Sequence, residues 1–103
     1  MRDRVMQMVG LAKKAGRCVS GEFKTEEAIK KLDARLVIVA EDASEQTKKH
    51  FTDMCRYREI PICLYGSKQQ LGKFTGKELR AAAAITDSTF AQKIEAMIRE
   101  VAI

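Results

Sequence analysis

The chain is poor in the residues that announce chemistry. It has one histidine, one proline and three cysteines, and none of its apolar runs approaches the roughly 20 residues that span a bilayer. The cysteines, Cys18, Cys55 and Cys63, are odd in number and lack Cys-x-x-Cys spacing. That excludes a disulfide framework and a zinc site, and they are expected to be reduced and partly buried. His50 lies mid-helix between Lys49 and Phe51, with no cysteine or carboxylate at ligand or triad spacing. It is expected at the surface or half-buried. No pair of groups suggests general acid–base work, so neither an enzyme nor a cofactor is expected. The amino terminus mixes Arg2, Asp3 and Arg4 with short apolar steps, unlike a secretory signal, so a cytoplasmic protein without membrane attachment is expected.

What is present is a charged, moderately apolar chain. Its 103 residues, 46% hydrophobic and 32% charged, suit one domain and leave no room for a second core. Nineteen Lys and Arg against fourteen Asp and Glu give a net charge of +5, which favours a polyanionic partner. No repeat, linker or low-complexity tract interrupts it.

Apolar periodicity orders the elements. Val5, Met8, Val9 and Ala12 recur at helical spacing between Asp3 and Ala15, and Lys13, Lys14 and Gly16 close that helix. A short extended piece over Arg17–Ser20 precedes a second helix from Glu22 to Asp33, with Ala28, Ile29 and Leu32 on its buried face. Leu36–Ala40 is continuous, β-branched and uncharged, as a strand covered on both faces should be. Asp42 and Glu45 have capping-box spacing, with Ser44 as a competing N-cap, and the third helix presents Phe51, Met54 and Cys55 before ending near Arg58. Ile60–Tyr65 forms a strand that tolerates Pro61 near its start. Ser67 caps a short helix that Gly72 ends, and the charged turn Lys77–Arg80 follows. Ala81–Ala84 would favour helix by propensity, but Asp87 and Ser88 follow too soon, so it is read as a close-packed strand. The last helix carries Phe90, Ile94, Met97, Ile98 and Val101 in one stripe. Strands alternating with helices predict a three-layer α/β/α sandwich with a small mixed sheet.

Gly21 opens Gly21-Glu22-Phe23-Lys24-Thr25-Glu26-Glu27, a glycine followed by a polar helix start whose free N–H groups would lie at a surface edge. With Gly10-Leu11-Ala12-Lys13-Lys14-Ala15-Gly16-Arg17 and Ser67-Lys68-Gln69-Gln70-Leu71-Gly72-Lys73, it resembles the kink-turn RNA-binding superfamily of ribosomal proteins, the L-seven-Ae and L-thirty-e type, above all its bacterial YlxQ-like branch. The resemblance covers nearly the whole chain. It implies a non-enzymatic, ribosome- or translation-associated protein that recognises kink-turn or internal-loop RNA. In the wider superfamily the second helix starts Gly-x-Asn-Glu-x-x-Lys, which reads purine edges. Here Phe23 stands in place of the asparagine, Lys24 of the glutamate and Glu27 of the lysine, while Glu22 after the glycine fits the branch.

The resemblance places RNA contacts at Arg17, Gly21, Glu22, Phe23, Lys24, Glu27 and Lys31, and at a distal loop of Lys77, Glu78, Leu79 and Arg80. Arg17 and Lys24 would hold phosphates, with Lys30 and Lys31 on the same helix. Leu79 would support a splayed nucleotide, or is a plain exposed leucine. Phe23 is read first as a staple packed inward and second as a stacking platform. Gly66–Thr75 is a near-miss phosphate loop: five residues separate its glycines where the motif has four, and Phe74 replaces the magnesium-binding hydroxyl. A monomer is expected on either reading. The competing reading is a protein-interaction module of the same fold that docks a ribosomal protein or translation factor without reading RNA bases.

Overall fold

The computed structural model describes residues 3–76 and 78–101. Its elements run α1 (Arg4–Lys14), β1 (Cys18–Ser20), α2 (Glu22–Lys30), β2 (Leu36–Val39), α3 (Glu45–Tyr57), β3 (Ile62–Leu64), α4 (Lys68–Phe74), β4 (Ala82–Ile85) and α5 (Ser88–Val101). The four strands form one mixed sheet in the order β1-β4-β2-β3. β4 is antiparallel to both its neighbours, and β3 is parallel to β2.

The uncharged run of β2 is explained by its place between two helix layers. Leu36 and Ile38 join the apolar cluster of α1, α4 and α5, whereas Val37 and Val39 join that of α2 and α3. β4 divides its residues the same way, with Ala83 and Ile85 on the first side and Ala82 and Ala84 on the second. Burial on both faces overrides the helix propensity of alanine, and the small side chains leave room for helices to pack closely. Phe51, Met6, Ile29 and Leu71 are fully buried, each adding about 1.5–3 kcal/mol over an exposed side chain. The sheet is therefore a rigid floor whose strand ends carry the loops.

Several boundaries differ from the sequence expectation. The second helix stops at Lys30, and Leu32 lies beyond it in the left-handed region at φ 60°, exposed instead of buried. Gly72 does not end its helix. α4 continues through a buried Gly72 to Phe74, because the Thr75 hydroxyl donates to the Leu71 carbonyl at 2.8 Å and so closes the last turn. Ser44, not Asp42, caps α3, accepting from the Thr47 N–H at 3.1 Å. The capping box occurs instead at Ser67 and Gln70. The third strand shortens to Ile62–Leu64, and Val101, at the end of α5, is exposed although it continues the apolar stripe. Cys18 and Cys55 are buried, whereas Cys63 is only half so.

Candidate nucleic-acid interface

Gly21 joins β1 to α2 with φ 97° and ψ 154°, a combination almost confined to glycine. Its N–H donates to the Ala82 carbonyl at 2.8 Å, and its carbonyl accepts from Thr25 at 3.0 Å, so this residue both ends the β1–β4 pairing and starts the helix. No side chain caps α2. The first N–H groups of the helix therefore face outward with the positive end of the macrodipole, which suits an anion.

The segment before β4 packs onto this edge. A Cβ on Gly21 would lie 3.5 Å from both Cδ and Nε of Arg80, so the arginine stem lies directly beside the glycine. Arg80 Nη1 donates to the Leu79 carbonyl at 2.9 Å, while Nε is buried and has no partner. The only other buried side-chain polar atom without a partner among the described residues is the Thr25 hydroxyl, one turn into α2. The Arg80 N–H donates to the Lys68 carbonyl at 3.1 Å, which ties the pre-β4 segment to the start of α4. α4 itself offers less to an anion. Its Lys68 N–H already donates to Asp42 Oδ1 at 2.8 Å, and the Gly66 N–H to Glu41 Oε2 at 3.2 Å.

Charge is distributed unevenly along α2. Glu26 pairs with Lys30 at 3.1 Å and lies 3.4 Å from His50, and Glu27 pairs with Lys31 at 3.8 Å. The Lys30 hydrogen bond, then His50, holds the Glu26 carboxyl below its ordinary value. The middle and end of the helix are thus largely self-neutralised. Lys24, Lys68 and Arg80 make no ion pair among the described residues, which leaves three cations around the Gly21 edge.

The structure brings together Gly21, Glu22, Phe23, Lys24, Leu79 and Arg80. Phe23 corrects the preferred reading: it is 75% exposed and packs into no core, standing above a shallow groove walled by Glu26, Glu27, Lys30 and Lys31. Leu79 is 60% exposed, and Glu78 is also exposed. Lys77 lies outside the described residues. Two sequence-derived contacts fall away from the edge. Arg17 precedes β1 and its carbonyl accepts from Thr86, so it sits at the opposite end of the sheet, about 13 Å from Gly21 along extended chain. Lys31 caps the far end of α2, about 15 Å down the helix axis, where it neutralises Glu27. Lys68 was not anticipated as a member of the edge. The capping box at Ser67 and Gln70 places it at the first position of α4 and is the sequence signal that could have found it.

Burial pushes the Cys18 and Cys55 thiols up to about 11, so both stay protonated at neutral pH. His50 is exposed, lies 3.4 Å from the Glu26 carboxylate and meets the Phe51 ring edge-on with centroids 5.2 Å apart.

Comparison with known proteins then fixes the lineage. Residues 3–95 match the family described as "Ribosomal protein L7Ae/L30e/S12e/Gadd45 family". The chain belongs to this family. Within it the chain is YlxQ-like. It is 40% identical over 91 residues to "RNA-binding protein YlxQ" of Bacillus subtilis (strain 168), covering 88% of this chain and 91% of that protein. The protein of the same name from Enterococcus faecium is 37% identical over 97 residues, covering 94% and 93%. A solved structure titled as a protein with unknown function from Bacillus halodurans C superposes with a TM-score of 0.90 at 32% identity, covering 95% of this chain and 99% of that one. The "Giardia lamblia 15.5kD RNA binding protein" superposes at 0.80 with 18% identity over 97% and 92% of the two chains, a likeness of fold. The three-layer sandwich is thus shared with both solved structures.

Proposed function

We propose that this protein is a non-enzymatic RNA-binding protein that seats a kink-turn or internally looped RNA on the start of α2 and the segment before β4. The observation that carries this reading is the convergence at Gly21. An uncapped helix start, three cations without ion pairs and two exposed apolar side chains meet on one edge. Lys24, Lys68, Arg80 and the α2 amides hold phosphates, Phe23 offers a stacking face to an unpaired base, and Leu79 supports a splayed nucleotide. The asparagine and glutamate that would read purine edges are replaced by Phe23 and Lys24, so recognition shifts from base edges toward backbone shape and stacking. The relatives named RNA-binding proteins support the substrate class. The same kinship supports a role in translation or on the ribosome, in the cytoplasm.

Titration against a kink-turn RNA, the same RNA with its sheared pairs replaced by Watson–Crick pairs, and plain duplex is the test. Preference for the kink-turn that persists at physiological salt is expected. Equal, salt-labile binding to all three would overturn recognition and favour a protein-docking module.

A further inference from the structure

One motif is not used by the RNA edge. Gly10, Leu11, Lys13 and Lys14 of α1 converge with Lys73 and Phe74 of α4 on a groove of about 620 Å³. It is built by close approach, since a Cβ on Gly10 would lie 3.4 Å from the Phe74 carbonyl oxygen and 3.6 Å from its ring. A glycine inside a helix costs about 1 kcal/mol relative to alanine. Here it lets the end of α4 lie against α1.

The groove is apolar within and cationic around. Leu11 is 52% exposed in it, and the Lys73 ammonium lies 5.8 Å from the Phe74 ring centroid. No carboxylate lines it, and none of its three lysines makes an ion pair among the described residues. Lysines in a last helical turn answer the macrodipole, and both α1 and α4 end here. Two half charges against three whole ones still leave about two positive charges. The macrodipole also gives no reason for an exposed leucine among them.

We infer that this groove docks an acidic peptide segment of a partner protein, one large apolar side chain lying between Leu11 and Phe74 with carboxylates on Lys13, Lys14 and Lys73. Charge complementarity selects this occupant. A second copy of the chain would bring its own net charge of +5 against the lysines. An RNA backbone would satisfy the ammonium groups but leave the Leu11 and Phe74 surface unfilled. α4 spans about 9 Å from Lys68 to Phe74, so the partner would sit close beside the edge bearing Arg80.

The test is an amide-shift titration of the whole chain with a capped octapeptide holding one phenylalanine among aspartates. Its controls are the same peptide with asparagines and a short RNA duplex. Saturable shifts at Gly10, Leu11 and Gly76 are expected, with about tenfold weaker binding of the asparagine peptide. Leu11→Ser and Lys14→Gln, both at exposed positions, should each weaken the aspartate peptide several-fold to about tenfold, with the amide-shift pattern of the folded chain retained outside the groove. No saturable shift up to millimolar peptide, equal binding of the asparagine peptide, or indifference to Leu11→Ser would overturn the inference. Displacement of the peptide by duplex would assign the groove to RNA instead. Shifts there that depend on protein concentration alone would assign it to self-association.

Discussion

Replacing Gly21 with alanine separates backbone geometry from bulk. The new Cβ would lie 3.5 Å from Arg80, ordinary contact distance, so no clash follows from its size. The strain comes from φ 97° and ψ 154°, where a non-glycine residue costs about 1–3 kcal/mol. Alanine also restricts the unfolded chain, an offset of about 0.4–1 kcal/mol. A net loss of about 1–2 kcal/mol is expected, and for a domain of this size each kcal/mol lowers Tm by about 4–8 °C. Relaxing the strain would turn the first residues of α2 and move both Lys24 and the helix amides, so RNA affinity should fall about tenfold beyond any loss of folded protein. Gly16→Ala is the control. Gly16 also has positive φ, 73°, with open space around it, but precedes β1 at the other end of the sheet. It should lower Tm by a smaller step and leave RNA affinity unchanged. Thermal melts with RNA titrations on both variants decide the matter. An unaltered Tm for Gly21→Ala, or equal losses of RNA affinity in the two variants, would refute the reasoning.

Other consequences are open to direct measurement. Lys24→Ala and Arg80→Ala should each weaken RNA binding and lower the salt dependence of log K by about one phosphate contact, whereas Lys31→Ala, which breaks the Glu27 pair, should do neither. Thr25→Val removes a buried hydroxyl with no partner while keeping its shape, so denaturant unfolding should show stability unchanged or raised by about 1 kcal/mol. Phe51→Ala empties the centre of the α2–α3 layer and should cost about 3–5 kcal/mol in the same assay. Burial, then the Asp3 hydrogen bond, raises the Tyr65 hydroxyl from 10.0 to about 12. A raised folded pKa means the folded chain holds its proton longer, so Tyr65 supports stability below pH 10 and loses that support as pH rises toward 12. Alkaline melts of Tyr65→Phe should accordingly fall less steeply across that window.

The sandwich was legible because its signals are strong and local. The uncharged run Leu36–Val39 is buried on both faces, and Asp3, Ser67 and Asp87 each accept a backbone N–H at the helix starts they mark. The alanine strand was legible only from spacing, since its propensity points to helix and burial decides otherwise. Leu32 and Val101 continued apolar stripes beyond the point where the core ends, and periodicity carries no information about that limit. Gly72 looked like a stop, but the Thr75 hydroxyl satisfies the carbonyls that a terminal glycine would otherwise free. All of the candidate edge except Lys68 was visible through Gly21 and its neighbours and through the charged turn that holds Leu79 and Arg80. Arg17 and Lys31 stand apart from the edge because a strand and a helix each carry the chain more than about 10 Å from Gly21, a separation that nearness in sequence conceals. Lys68 was overlooked because it is 47 residues from Gly21 and arrives there only through the Arg80 hydrogen bond.

The most direct test of the account is a backbone amide-shift map of the protein titrated with a kink-turn RNA at physiological salt. Shifts concentrated at Gly21–Lys24, Lys68 and Leu79–Arg80, with Arg17 and Lys31 silent, are predicted. Shifts centred on Arg17 or Lys31, or spread evenly over the lysines, would contradict it and place RNA binding on charge alone.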